Sequence, residues 1–194
     1  MVYLEDMKRF VCVLSNGQVL ILDDKQNKKE TASTKLPDDL QPHGISVQDR
    51  KTVLIGCDKG CLVRLSLTQQ DPDPQPEIKM IQLFPASITL YQIIKTSNPK
   101  NRNEYVICSS KGVHFRTLSN ESRFEFDGAK SSILEEQGTF TTVVELSQTI
   151  MAVSAIDHCQ VIIIETANGT SKAIKAIRFE SSVISLVGSP VFSE

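Results

Sequence analysis

No stretch of this 194-residue chain reaches the roughly 18 uninterrupted apolar residues that a membrane-spanning helix needs. Its first residues, MVYLEDMKRF, carry acidic side chains where a secretory signal would carry a long apolar run. Charge of one sign is missing too. The 21 basic and 23 acidic residues leave a net charge of −2, which gives no global pull toward nucleic acid or an anionic membrane. The densest basic patch, Lys25, Lys28 and Lys29, reads as a solvated loop. Neither GxGxxG nor GxxxxGK followed by Ser or Thr occurs, so no glycine-rich loop cradles a phosphate. An extended apolar stripe of helical period is also absent; only SSILEEQ (131–137) offers one short turn. The five cysteines are odd in number and scattered through apolar runs, as expected of reduced thiols in a cytoplasmic or nuclear protein.

What is present is a phrase that returns four times: a β-branched apolar run, a short polar turn, and a second apolar run. The copies are VCVLSNGQVLIL (11–22), LIGCDKGCLVRL (54–65), ICSSKGVHFRTL (107–118) and VSAIDHCQVIII (153–164). Aligned on the turn, they place Gly17, Gly60, Gly112 and Cys159 at one position, with spacings of 43, 52 and 47 residues. Hairpin-based units of about 40–50 residues predict β-propeller blades. The runs are apolar almost continuously, as strands covered on both faces are.

The turns read as Asn16-Gly17, Lys59-Gly60 and Lys111-Gly112, where glycine supplies positive φ without a Cβ clash. Cys159 replaces glycine in the fourth copy, predicting a looser loop or a left-handed cysteine there. Ser15, Asp58, Ser110 and Asp157 stand two residues before this position, each able to tie a turn by a side-chain hydrogen bond.

Flanking segments supply two further strands per unit. These are VYLED (2–6) and ETASTKL (30–36), HGISVQD (43–49) and EIKMIQLF (77–84), ITLYQIIKTS (88–97) and ESRFEF (121–126), and FTTVVELS (140–147) and KAIKAIRFE (172–180). Four strands in sequential antiparallel order make a propeller blade. The expected organisation is an all-β chain with blades over roughly 1–37, 42–84, 88–126 and 140–180, a fifth opening at 183–192.

The hairpin phrase resembles the WD-repeat family, whose blades read roughly Ser-x-Asp-Gly-x-Val-x-Val-Trp-Asp. Here SNGQVLILDD (15–24) carries the glycine, Val19, and Leu22-Asp23 where Trp-Asp would stand. The later copies hold Leu65-Ser66, Thr117-Leu118 and Ile164-Glu165 at that dipeptide, and the chain has no tryptophan. The resemblance spans nearly the whole chain and implies a degenerate WD-like propeller; citron-homology and quinoprotein-like propellers are related alternatives. Four units are fewer than the family's usual number. Either they close as a four-bladed ring, or the chain is a segment of a longer propeller, or a partner supplies further blades.

Chemistry-bearing residues are sparse. Cys57 and Cys61 flank the second turn, but Cys12, Cys108 and Cys159 lie in other blades, so no metal site is expected. Among His43, His114 and His158, only His158 has an adjacent carboxylate, Asp157, and no nucleophile motif accompanies it. No catalytic residue and no cofactor are assigned. Specificity is expected in the segments that break the repeat: TQQDPDPQP (68–76), NPKNRNE (98–104) and FDGAKSSILEEQGT (126–139). Their charged residues Asp71, Asp73, Lys100, Arg102, Lys130, Glu135 and Glu136 are the candidate protein-binding residues.

The expectation is therefore a non-catalytic protein–protein interaction scaffold within a larger assembly, with no nucleic-acid or membrane partner. The alternatives are a regulatory propeller of a larger kinase or GTPase-regulator protein, and a catalytic propeller using His114 or His158 in a central funnel.

Overall fold

A computed structural model describes residues 1–24, 30–37, 39–68, 75–97, 103–120, 125–127, 131–135, 137–167, 170–183 and 186. The chain forms two compact units, Met1–Leu90 and Tyr91–Glu194. Every sheet in both is antiparallel, with consecutive strands as neighbours apart from one split outer edge. No helix among the described residues is long and apolar enough to cross a membrane.

The first unit holds two sheets. One is β1 (Val2–Leu4), β2 (Arg9–Val13), β3 (Gln18–Asp23) and β4 (Glu30–Lys35). The other is β5 (Pro42–Asp49), β6 (Thr52–Cys57), β7 (Cys61–Thr68) and β8 (Gln75–Gln82). Val11, Val19 and Ile21 of the first sheet share one core with Val53, Ile55, Val63 and Leu65 of the second. Each fully buried aliphatic side chain of this kind contributes about 1.5–3 kcal/mol.

The second unit repeats the plan. Its first sheet is β9 (Leu90–Lys95), β10 (Glu104–Ser109) and β11 (Gly112–Asn120), with an outer edge in two pieces, β12 (Glu125–Phe126) and β13 (Ser131–Ile133). Its second sheet is β14 (Phe140–Ser147), β15 (Ile150–Ala155), β16 (Gln160–Ala167) and β17 (Thr170–Arg178). Val106, Cys108 and Phe115 pack with Val143, Val153 and Ile162 in the core between them. The split edge corrects two sequence expectations. SSILEEQ opens as strand rather than helical turn, and part of the expected 126–139 insertion pairs with β11, Val113 opposite Ile133.

The continuous apolar runs behave as expected in three copies and differently in the first. All six residues of β6 are buried, and five of six in both β10 and β15. In β2 only Val11 is buried, and on the opposite face Tyr3 and Leu14 stay 39% and 40% exposed.

The hairpins also differ from one another. Lys59 and Gly60 both have positive φ, 54° and 67°, as a type I′ turn demands. The first hairpin is a three-residue loop: Gly17 donates to the Leu14 carbonyl at 2.9 Å, and Leu14 to that of Gln18 at 2.8 Å. In the third, Ser109 pairs with Gly112, so the turn residues are Ser110 and Lys111 rather than Lys111 and Gly112. Cys159 is left-handed (φ 48°, ψ 45°) after a single 3-10 turn, Ile156–His158, as its non-glycine sequence predicts.

One contact is shared at this position by the first, second and fourth copies. The carbonyl of Gly17 accepts from Leu36 N at 2.9 Å, that of Gly60 from Leu83 N at 3.0 Å, and that of Cys159 from Phe179 N at 2.8 Å. The turn thus pins the end of its own sheet's outer strand.

Candidate functional site

Of the seven charged loop residues expected to bind a partner, Asp71, Asp73, Lys100, Arg102, Lys130 and Glu136 lie outside the described residues. Glu135 is described: it is exposed in the turn after β13, and a Cβ on Gly112 would lie 3.2 Å from its Cα. The basic patch Lys25, Lys28 and Lys29, and most of the expected fifth blade at 183–192, also lie outside them.

Several of the described reactive side chains are occupied by the fold. His114 is 5% exposed and sits between two hydroxyls, Ser109 Oγ at 2.9 Å from Nε2 and Ser132 Oγ at 2.9 Å from Nδ1. Ser109 gives its one proton to the Gly112 carbonyl (3.1 Å) and accepts from Lys111 N (3.1 Å), leaving a lone pair for the imidazole. That arrangement selects the neutral Nε2–H tautomer, with Ser132 donating to Nδ1. Burial, and then the Arg116 guanidinium, pull the His114 pKa down to about 4.

Two turn aspartates clasp the start of their own sheets. Asp58 Oδ1 accepts from Gln41 N at 2.8 Å, and Asp58 N donates back to the Gln41 carbonyl at 3.0 Å. Asp157 Oδ2 accepts from Thr139 N at 2.7 Å, while Ile156 N donates to the Thr139 carbonyl at 3.0 Å. Asp157 Oδ2 is thus engaged by a backbone amide. Asp23, at the position of the WD aspartate, pairs with Arg9 across the β2–β3 register at 2.6 Å.

All five cysteines are free thiols. Burial pushes Cys57 up to about 12 and raises Cys108 and Cys61, which disfavours the thiolate a metal or a nucleophile requires. Among the described residues no group of three or more His, Cys, Asp or Glu could hold a metal.

A shallow cleft of about 550 Å3 is lined by Gln137, His158, Gln160 and Arg178. Gln160 and Arg178 are cross-strand partners, and the His158 ring lies about 3 Å from where a Cβ on Gly138 would stand. The cleft opens at the end of β17, the outer strand. Ile174, Ile177 and Phe179 on and just after β17 are 49%, 39% and 49% exposed. The segment KAIKAIRFE shows in sequence as a strand, and nothing in it marks that strand as the outer one of its sheet. A second cleft, of about 500 Å3, lies in the first unit among Asp49, Arg50, Lys51, Arg64 and Glu77, with charges of both signs.

No family model matches the sequence, and no curated protein matches it. Solved structures do. The β-propeller domain of Cps50 (Swd1) from Myceliophteria thermophila is 13% identical, with a TM-score of 0.61 over 90% of this chain and 58% of that one. The blades are propeller blades. A putative 6-phosphogluconolactonase from Bacteroides fragilis NCTC 9343 is also 13% identical, with a TM-score of 0.65 over 93% of this chain and 54% of its own. The chain thus spans little more than half the length of either protein, and at such identity the likeness extends to the fold alone.

Proposed function

We propose that this chain is a non-catalytic protein–protein interaction module, a WD-like propeller region working as part of a larger cytoplasmic or nuclear assembly. The observation that carries this reading is how the fold uses its reactive groups. His114 is neutral and enclosed by serines, Asp58 and Asp157 hold strand starts, and Cys57 and Cys108 are buried thiols. A catalytic propeller needs such groups accessible; here His114, Asp58, Asp157, Cys57 and Cys108 are each engaged or buried within their own sheets. The WD-like part rests on the turn glycines with their latched outer strands, and on Asp23 held by Arg9. Rigid blades suit a binding role, because preorganised surfaces lose less entropy on association.

Cross-linking of the tagged chain in extract of its own cells, followed by mass spectrometry and size-exclusion, tests this. The expected result is a defined set of cross-linked proteins co-eluting well above the 21.5 kDa of the chain itself. Elution as an isolated species with no cross-linked protein overturns the reading.

A further inference from the structure

The outer strands of the four sheets are not equivalent. β4 carries small and hydroxyl side chains, ETASTK. β8 contains Pro76 with charges of both signs, Glu77 and Lys79. The third sheet's edge is broken into β12 and β13. Proline, charge and a broken strand are recognised ways of blunting a strand edge against further pairing. β17 keeps the longest edge of the four: nine residues with one register shift, at Ile174 between Ala173 and Lys175, it is the terminal strand of its sheet, and among the described residues none is its ladder partner on the outer side. Three of the nine exposed large hydrophobics of the described chain fall between Ile174 and Phe179. Its charged residues, Lys172, Lys175 and Arg178, are all basic.

We propose that β17 accepts an extended acidic peptide from a partner protein as an added strand, with a carboxylate of that peptide in the cleft of Arg178, His158, Gln160 and Gln137. This rests on the interaction-module reading and names its partner's chemistry. An open edge presents alternate N–H and C=O groups for ladder pairing, which supplies affinity, while the side chains supply selection. Ile174 and Ile177 give the peptide apolar contact. The three cations select acidic side chains and disfavour pairing of β17 with a second β17, because like charges would then face each other across the ladder. The cleft fits the same ligand: guanidinium, imidazole and two carboxamides all offer N–H donors, and Arg178 and His158 make no ion pair with a described residue.

The test is fluorescence anisotropy of the full chain with a labelled peptide of alternating Glu and Val. Its controls are the Lys-for-Glu counterpart and the acidic peptide N-methylated at alternate amides. Binding is expected to weaken about tenfold or more for the N-methylated peptide, whose ladder is blocked, and for the K172E/K175E/R178E protein. R178Q, which leaves β17 otherwise intact, is expected to weaken it several-fold, and thermal melts by circular dichroism should superimpose for all forms. Equal binding of the N-methylated peptide, equal binding by the charge-reversed protein, or no binding of the acidic peptide each overturns the proposal. So does capture by phosphatidylserine/phosphatidylcholine vesicles without peptide binding, which would make β17 a membrane contact. In the cross-linking experiment, partners retained by K172E/K175E/R178E refute the edge but leave the interaction module standing. Loss of partners only in that variant supports both.

Discussion

At the scale of single residues, the turn glycines look alike in sequence and differ in the space around them. A Cβ on Gly60 would lie 2.2 Å from the Phe84 carbonyl oxygen, a backbone atom held by the latch to β8. On Gly17 the nearest atom would be Leu36 Cβ at 3.6 Å, an ordinary contact. Both have positive φ, so alanine costs each about 1–2 kcal/mol in backbone strain. Gly60→Ala must also displace the latch, and is expected to lower the urea midpoint by roughly twice as much as Gly17→Ala. Equal midpoints would show that the latch is soft. His114 supplies the pH counterpart. Its folded pKa is about 4 against 6.5 for the free side chain, so the unfolded chain binds the proton more readily. The stability this group contributes is fully present above pH 6.5 and is lost as the pH falls toward 4, by about 3 kcal/mol. His114→Gln keeps a hydrogen-bonding side chain but cannot titrate. The difference between wild-type and variant stability from urea melts should therefore fall across that window and stay flat above pH 7.

At the scale of elements, each sheet is held by a small set of side-chain ties outside its ladder. Asp58 and Asp157 fix the entry of β5 and β14, so Asp58→Ala and Asp157→Ala are expected to cost about 1 kcal/mol each. Hydrogen exchange gives the sharper readout: the amides of Gln41 and Thr139 should lose protection while those of β6 and β15 keep theirs. The hairpins and nearly every strand were legible in the sequence, because β-branched runs bounded by Gly, Asn and Asp determine local geometry. FTTVVELS became β14 residue for residue. Less legible was whatever depends on a neighbour. Nothing local to SSILEEQ says that Ile133 finds Val113 across an insertion, and nothing in SSKG says that Ser109 Oγ accepts from Lys111 N. The site was the least legible. Charge in loops drew attention to Asp71, Lys100 and similar residues, while an edge strand is defined by what fails to pair with it, and KAIKAIRFE reads the same whether covered or open.

At the scale of the whole molecule, the two units differ from the blades in what they can do alone. A single sheet here cannot close a core: Val53 and Ile55 are buried together with Val11 and Val19, and Val106 with Val143 and Val153. The pair of sheets is therefore the smallest piece that buries its apolar faces, as nearest-neighbour stacking in repeat proteins requires. Residues 1–90, expressed alone, keep every member of their core cluster and are expected to melt cooperatively with native-like far-ultraviolet circular dichroism. A cut after Glu135 would instead separate Val106, Cys108 and Phe115 from Phe140, Val153 and Ile162. Residues 91–135 alone should then lack a cooperative transition and bind a hydrophobic dye, since half a core leaves its apolar residues in water. If 91–135 melted as sharply as 1–90, the blade rather than the pair would be the folding unit, and β17 would be the edge of a sheet stable in isolation.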